Sequence, residues 1–224
     1  MILGIITAMV FVLVSAVFFT KKLSNDSRIR KLFSVIHKPL GYLLVVLAIA
    51  HLVLTLPLIK QRPIIIYILG IAMIICVIVS IMSWNLIKDK RKALFLHKIS
   101  AFIIVPLIIA HIAFCVASLN KYQQKIAAIS FSNPQISAIA DGEYIGECNV
   151  GYIYAKVEVS VSNGVINNIE LLDHHNERGE AGEGVIAKIL AEQRIDVDAV
   201  ASATNSSKVI KKAVENAIEK GLVK

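Results

Sequence analysis

Four histidines at two equal spacings are the residues most able to do chemistry in this chain. Residues 37–51 read HKPLGYLLVVLAIAH and residues 97–111 read HKISAFIIVPLIIAH. Seven of the fifteen positions are identical, and the second copy follows the first by 60 residues. On one helix, fourteen residues is nearly four turns, so both imidazoles of a copy share a face to within about 40° and stand about 21 Å apart. A second helix of the same direction then sets His37 opposite His97 and His51 opposite His111. Haem iron takes two axial ligands from opposite sides, and two facing helices can supply them. Gly41, Ala48 and Ala50 against Ala101 and Ala110 would leave room for a flat macrocycle. Lys38 and Lys98 would reach propionates at one surface.

Plainer roles exist for such residues. An ionisable side chain inside a membrane span is a functional candidate by default, yet a single histidine can simply hydrogen-bond a neighbouring helix or relay protons. Zinc would want its ligands gathered about one point. Two equal spacings in a duplicated segment are what favour a pair of two-ligand centres.

The elements that position these histidines are apolar. Of the 224 residues, 56% are hydrophobic, and the mean hydropathy is +0.70. Crossing a bilayer core of about 30 Å takes roughly 20 residues. Four runs are expected to do so: Met1–Phe19, Leu40–Ile59, Pro63–Leu86 and Ile99–Leu119. Spans one and two followed by three and four make a parallel duplication. Residues 1–119 carry 13 Lys/Arg and 2 Asp/Glu, while residues 120–224 carry 11 and 14. That split excludes a basic nucleic-acid face on the polar half. Lys21, Lys22, Arg28, Arg30, Lys31 and Lys38 crowd the first loop, and Lys88, Lys90, Arg91, Lys92 and Lys98 the third, against Lys60 and Arg62 in the second. By the positive-inside rule, loops one and three are cytoplasmic, and both termini lie outside a cell membrane crossed several times. The first run lacks a basic start and a cleavage box and reads as a retained span. Ser24-Asn25-Asp26-Ser27 is a polar break before the second.

Cys76 and Cys115 fall in apolar runs and Cys148 stands alone, so no disulfide framework is implied. No Cys-x-x-Cys-His occurs, so any haem would be held without a covalent bond. No glycine-rich dinucleotide fingerprint lies between a strand and a helix, so the donor of electrons would be a membrane quinol or a separate cytosolic reductase.

From Asn120 the composition is that of a soluble domain. Residues 120–140 read as a tether. Tyr152–Val161 alternates as a strand, Ser162-Asn163-Gly164 as a turn and Val165–Leu172 as a second strand. Gly182–Gln193 and Ser206–Glu219 read as helices. Thr204 falls at the second helix's start, where Asn205, Ser206 and Ser207 would cap it and backbone N–H groups would attract a phosphate. Read alone, that stretch is simply a helix start. Gly182 and Gly184 suit a loop approaching a flat ring. His174, His175 and Glu177 are either ring contacts or solvated turn residues.

Two family resemblances bear on these readings. The bis-histidine spacing at His37, His51, His97 and His111 resembles the core of ferric-reductase-like and other di-haem b-type cytochromes, which implies b-haem ligation. Residues 141–222 resemble the FMN-binding domain of the Rnf-complex G subunit and the sodium-pumping quinone reductase C subunit. Asp141-Gly-Glu-Tyr-Ile-Gly146 opens it, and the pattern Asp-x-x-Ser/Thr-Gly/Ser-Ala-Thr maps onto Asp198, Ser202, Ala203 and Thr204, with Ala201 where Ser or Thr is usual. The resemblance implies FMN joined through its phosphate to Thr204 by a flavin transferase.

The expected architecture is an α-helical membrane domain (residues 1–119, four transmembrane helices carrying two haem b), a linker (120–140), and a small extracytoplasmic α+β FMN-binding domain (141–224). The expected function is transmembrane electron transfer through the haems to FMN and an extracytoplasmic acceptor. The alternative is a membrane-anchored flavin sensor, or a redox subunit of a larger complex without its own haem.

Overall fold

The structure is a computed structural model. It describes residues 2–23, 27–176 and 178–222, with the backbone alone at residues 17–23 and 27. The polar break at 24–26 and Glu177 lie outside the described residues. The chain divides into two compact units, Met1–Val116 and Ala117–Lys224.

Four helices make up the first unit: α1 (Ile2–Leu23), α2 (Ser27–Thr55), α3 (Ile64–Leu86) and α4, which starts at Lys90 and ends at Ala127 in the second unit. Asp89 starts α4 by accepting the N–H groups of Arg91 and Lys92 on Oδ1, at 2.9 and 3.3 Å, the work of an N-cap. Among the described residues, three helical stretches are long and apolar enough to cross a membrane: Arg28–Leu58, Ile64–Leu86 and Lys90–Ala127. The first helix, Ile2–Leu23, contributes the apolar stretch Ile2–Ala16 among the residues whose side chains are described.

The second unit is a three-stranded antiparallel sheet in the order β1 (Gly142–Asn149), β2 (Tyr154–Ser162), β3 (Val165–His175), with α5 (Val185–Glu192) and α6 (Thr204–Ile218). Along β2, Ala155, Val157, Val159 and Val161 point inward, and α6 answers with Val209, Ile210, Ala213, Val214, Ala217 and Ile218, every one of them buried. Period 2 meets period 3.6 across one core. Gly146 lets β1 lie against α6, since a Cβ there would stand 2.2 Å from the Ala213 carbonyl oxygen and 2.4 Å from the Ala217 nitrogen. The β2–β3 turn carries left-handed Asn163 (φ 54°) and Gly164 (φ 71°), the pair a tight hairpin favours. Asp141 accepts the Asn163 N–H on Oδ1 at 2.8 Å, which ties the opening motif to that turn.

One strand is added and one expectation corrected. β1 is not among the strands expected from the sequence: its exposed residues include Ile145 beside Glu143, Glu147 and Asn149, and the buried Gly146 contributes no side chain. The tether at 120–140 is instead built into the second unit. Its first part is the last two turns of α4, and Tyr122, Ile126, Ile136 and Ile139 join the core. Ser132 and Asn133 donate backbone N–H groups to the buried Glu215 carboxylate, which also takes the Ser132 hydroxyl and the Lys212 ammonium. Burial alone would push that carboxyl up; the hydrogen bonds from Lys212 and Ser132 outweigh it and hold the group below the usual glutamate range.

Candidate functional site

Thr204 is the first residue of the fifteen-residue α6, and it is exposed. The loop before it is stapled. Ala203 N–H donates to the Val200 carbonyl at 3.1 Å, and the Val200 N–H donates to the Ser207 hydroxyl at 3.1 Å. Inside that turn, Ser202 adopts φ 65°. This left-handed conformation is cheapest for glycine and disfavours bulky residues, which accounts physically for a small residue at the position. Asp198 is exposed, and its carbonyl accepts the Lys188 ammonium at 3.0 Å, linking the turn to α5. The result is a hydroxyl presented to solvent at a helix N-terminus, where free backbone N–H groups and the helix dipole favour an anion.

The expected caps are corrected. Ala203 holds the N-cap position and makes no side-chain cap. Ser206 and Ser207 are buried inside the first turns, and Asn205 donates through Nδ2 to the Tyr122 hydroxyl at 2.9 Å. Gly182 is also reassigned. A Cβ on it would stand 2.6 Å from Ser206 Cβ, and one on Gly179 would stand 2.0 Å from Ser206 Oγ. These glycines let the loop lie on the start of α6, so close packing rather than a ring is what requires them. Gly184 meets only ordinary contact with Val200.

Beside that loop, His174 is held by Glu183, with Nδ1 2.7 Å from Oε1 and a side chain 3% exposed. Its Nε2 is buried with no hydrogen-bond partner, and so is the Ser206 hydroxyl oxygen. Buried polar atoms are normally satisfied. The two orphans, His174 Nε2 beside Glu183 and Ser206 Oγ beside Gly179 and Gly182, are therefore atoms that a polar ligand edge would satisfy. His174 belongs to this cluster, whereas His175 faces Asp173 and the Tyr154 ring. Glu183 is the residue sequence reasoning missed; it lies nine positions from its partner, with no periodic signal to join them. Two clefts of about 360 and 390 Å³ indent the second unit, and Thr204 lines neither.

In the first unit His37 and His97 pair as their spacing implies. His37 on α2 and His97 on α4 have ring centroids 5.8 Å apart with planes at 75°. Two imidazoles each bonded at about 2 Å to one metal would have centroids about 6 Å apart. Three of the four Nδ1 atoms rest on backbone carbonyls: His37 on Val14 at 3.1 Å, His97 on Ser80 at 3.2 Å, and His111 on Ile66 at 3.1 Å. A carbonyl only accepts, so Nδ1 carries the proton and the lone pair sits on Nε2, the form a metal ligand needs. Among the described residues no group of three or more His, Cys, Asp or Glu could hold a metal ion. The donor set fits a two-ligand centre such as haem iron and not a clustered ion.

A Cβ at Gly41 would meet nothing within 4 Å, and Ala101 is exposed. Gly4 and Gly70 lie against the rings: a Cβ on Gly4 would stand 3.0 Å from His51 Cε1, and one on Gly70 would stand 3.8 Å from His111 Cε1. Lys38 and Lys98 are exposed.

No curated protein and no solved structure matches the chain. Residues 151–219 match the family model of the FMN-binding domain. That stretch runs from β2 to the end of α6 and holds His174, Glu183 and Thr204. The match supports FMN binding by the second unit, and with it flavin-based electron transfer.

Proposed function

We propose that this chain is a multi-pass membrane flavocytochrome that moves electrons between a donor at the cytoplasmic side and an acceptor outside. The observation that carries the reading is the coexistence of the His37/His97 imidazole pair on apolar helices with a match to the FMN-binding domain over a stretch that holds the exposed Thr204. His37 with His97 and His51 with His111 would hold two b-type haems. Thr204 would carry FMN through a phosphoester bond made by a flavin transferase. Bound haem and FMN supply the electron transfer, which side chains alone cannot perform.

The chain's own residues supply position. Backbone carbonyls of Val14, Ile66 and Ser80 hold the imidazoles in the Nδ1–H form. The N-terminus of α6 favours the phosphate, and Ser202 and Ala203 shape the turn that exposes the acceptor hydroxyl. Asp198, Asn205, Ser206 and Ser207 act through that turn and the first helical residues rather than as caps. His174, held by Glu183, would meet a polar edge of the flavin. A membrane quinol or a cytosolic reductase would be the donor. By the positive-inside rule, the basic first and third loops would be cytoplasmic and the FMN domain outside.

A reduced-minus-oxidised spectrum of the purified protein, with haem and flavin stoichiometry, tests the reading. Paired b-type bands with one flavin per chain support it; flavin without haem leaves a membrane-anchored flavin sensor or a haem-free redox subunit. Thr204→Ala should abolish in-gel flavin fluorescence and keep the haem bands. Covalent flavin in that variant would refute the attachment site.

A further inference from the structure

The contacts of the four histidines reveal a second repeat, carried by α1 and α3. Gly4 faces His51 and Gly70 faces His111, and 70 is 4 plus 66. Val14 accepts from His37 and Ser80 accepts from His97, and 80 is 14 plus 66. The histidine-bearing helices repeat at 60 and their supporting helices at 66, so the whole pair of helices is duplicated. The two registers differ by six residues because α1 and α2 each extend three residues further past their contacts than α3 and α4 do, the connections being three residues long in both copies. α1 and α3 are therefore seats for the imidazoles.

The duplication is broken at one seat. Where α1 has Val14 and Val17, the same register gives α3 Ser80 and Ser83. Both serines are buried. Ser80 Oγ lies 2.8 Å from His97 Nδ1, beside the Ser80 carbonyl at 3.2 Å. The carbonyl can only accept, so Nδ1 is the donor, and the hydroxyl is a second acceptor for the same N–H. Ser83 donates its hydroxyl to the Ser80 carbonyl at 2.9 Å, which locks the seat. His37, across the pair, has a valine at the position that Ser80 occupies.

A stronger acceptor on Nδ1–H makes the imidazole more basic and a better electron donor to a metal on Nε2. Second-shell hydrogen bonding is one of the levers that set a haem's potential. We infer that Ser80 is a positioning residue that lowers the potential of the His37/His97 site through its hydroxyl contact to His97. The inference rests on the haem reading above. A lowered potential there biases transfer toward the His51/His111 site and so toward the FMN side.

Redox titration of the purified full-length protein, followed in the haem bands, reads this directly. Wild type is measured first: no b-type haem in it would remove the parent reading, independently of Ser80. With two haems present, Ser80→Ala should move one midpoint potential upward and leave the other in place, and Ser80→Thr should restore the wild-type value. Loss of one haem in Ser80→Ala with both retained in Ser80→Thr would equally support the seat. Unchanged midpoints in Ser80→Ala at full haem content would overturn the inference, and so would failure of Ser80→Thr to restore either the potential or the haem.

Discussion

The two units keep their polar groups in opposite places. In the first, Ile, Leu, Val and Phe cover the outside, while Ser80, Ser83 and Ser100 are buried and the four histidines are half-buried. In the second, Val and Ile fill the inside and Thr204 stands in solvent. The physics is one rule in two solvents. Lipid cannot satisfy a polar group, so helices turn such groups toward each other; water can, so the second unit buries apolar area instead. The lesson concerns where a functional site can sit. In the first unit a ligand would enter between helices, where Gly4, Gly70 and Ser80 lie against rings. In the second Thr204 is displayed, and the buried residues around it set the shape of its turn.

That contrast can be broken by substitutions that trade the roles. The largest effect is expected at Gly146, where α6 backbone would stand 2.2 and 2.4 Å from a Cβ. Neither backbone atom can move aside alone, so Gly146→Val should destabilise the second unit by about 3 kcal/mol, measured as a fall in its unfolding midpoint. Haem bands of the first unit, which the proposed function expects, should not change.

A smaller effect is expected at Glu215. Its carboxyl is held below the ordinary range, so its contribution is fully present above the unfolded-state pKa of about 4.3 and is lost as pH falls through the folded value. Glu215→Gln should cost about 2 kcal/mol near neutral pH and flatten the acid limb of a stability-against-pH curve. A mutant curve parallel to wild type down to acid pH would contradict this.

The finest distinction lies within the first unit. A Cβ at Gly4 would press the His51 ring at 3.0 Å, while one at Gly70 would make ordinary contact with His111 at 3.8 Å. Gly4→Ala should perturb the spectrum or occupancy of the His51/His111 site and Gly70→Ala should leave it nearly unchanged. Equal responses would mean that the two seats are not distinguished by their spacing.

The sequence by itself determined the spacing of the histidines, the apolar runs, the strand expected at Tyr152–Val161 and found at Tyr154–Ser162, and the helix expected at Ser206–Glu219 and found at Thr204–Ile218. These are local periodicities or short motifs, and they survive without knowledge of what packs on them. Tertiary structure alone decided that residues 120–140 belong to the second unit's core, because the capture of Ser132 and Asn133 by Glu215 spans more than eighty residues. It decided that Gly4 and Gly70 face the rings, since a helix periodicity names a face without naming its neighbour. It decided that Ser206 and Ser207 are buried rather than capping, because the turn at Val200–Ala203 moved the cap to Ala203. The repeat at 66 was hidden for the same reason: apolar helices accept many substitutions, and only contact with a histidine marks which positions correspond.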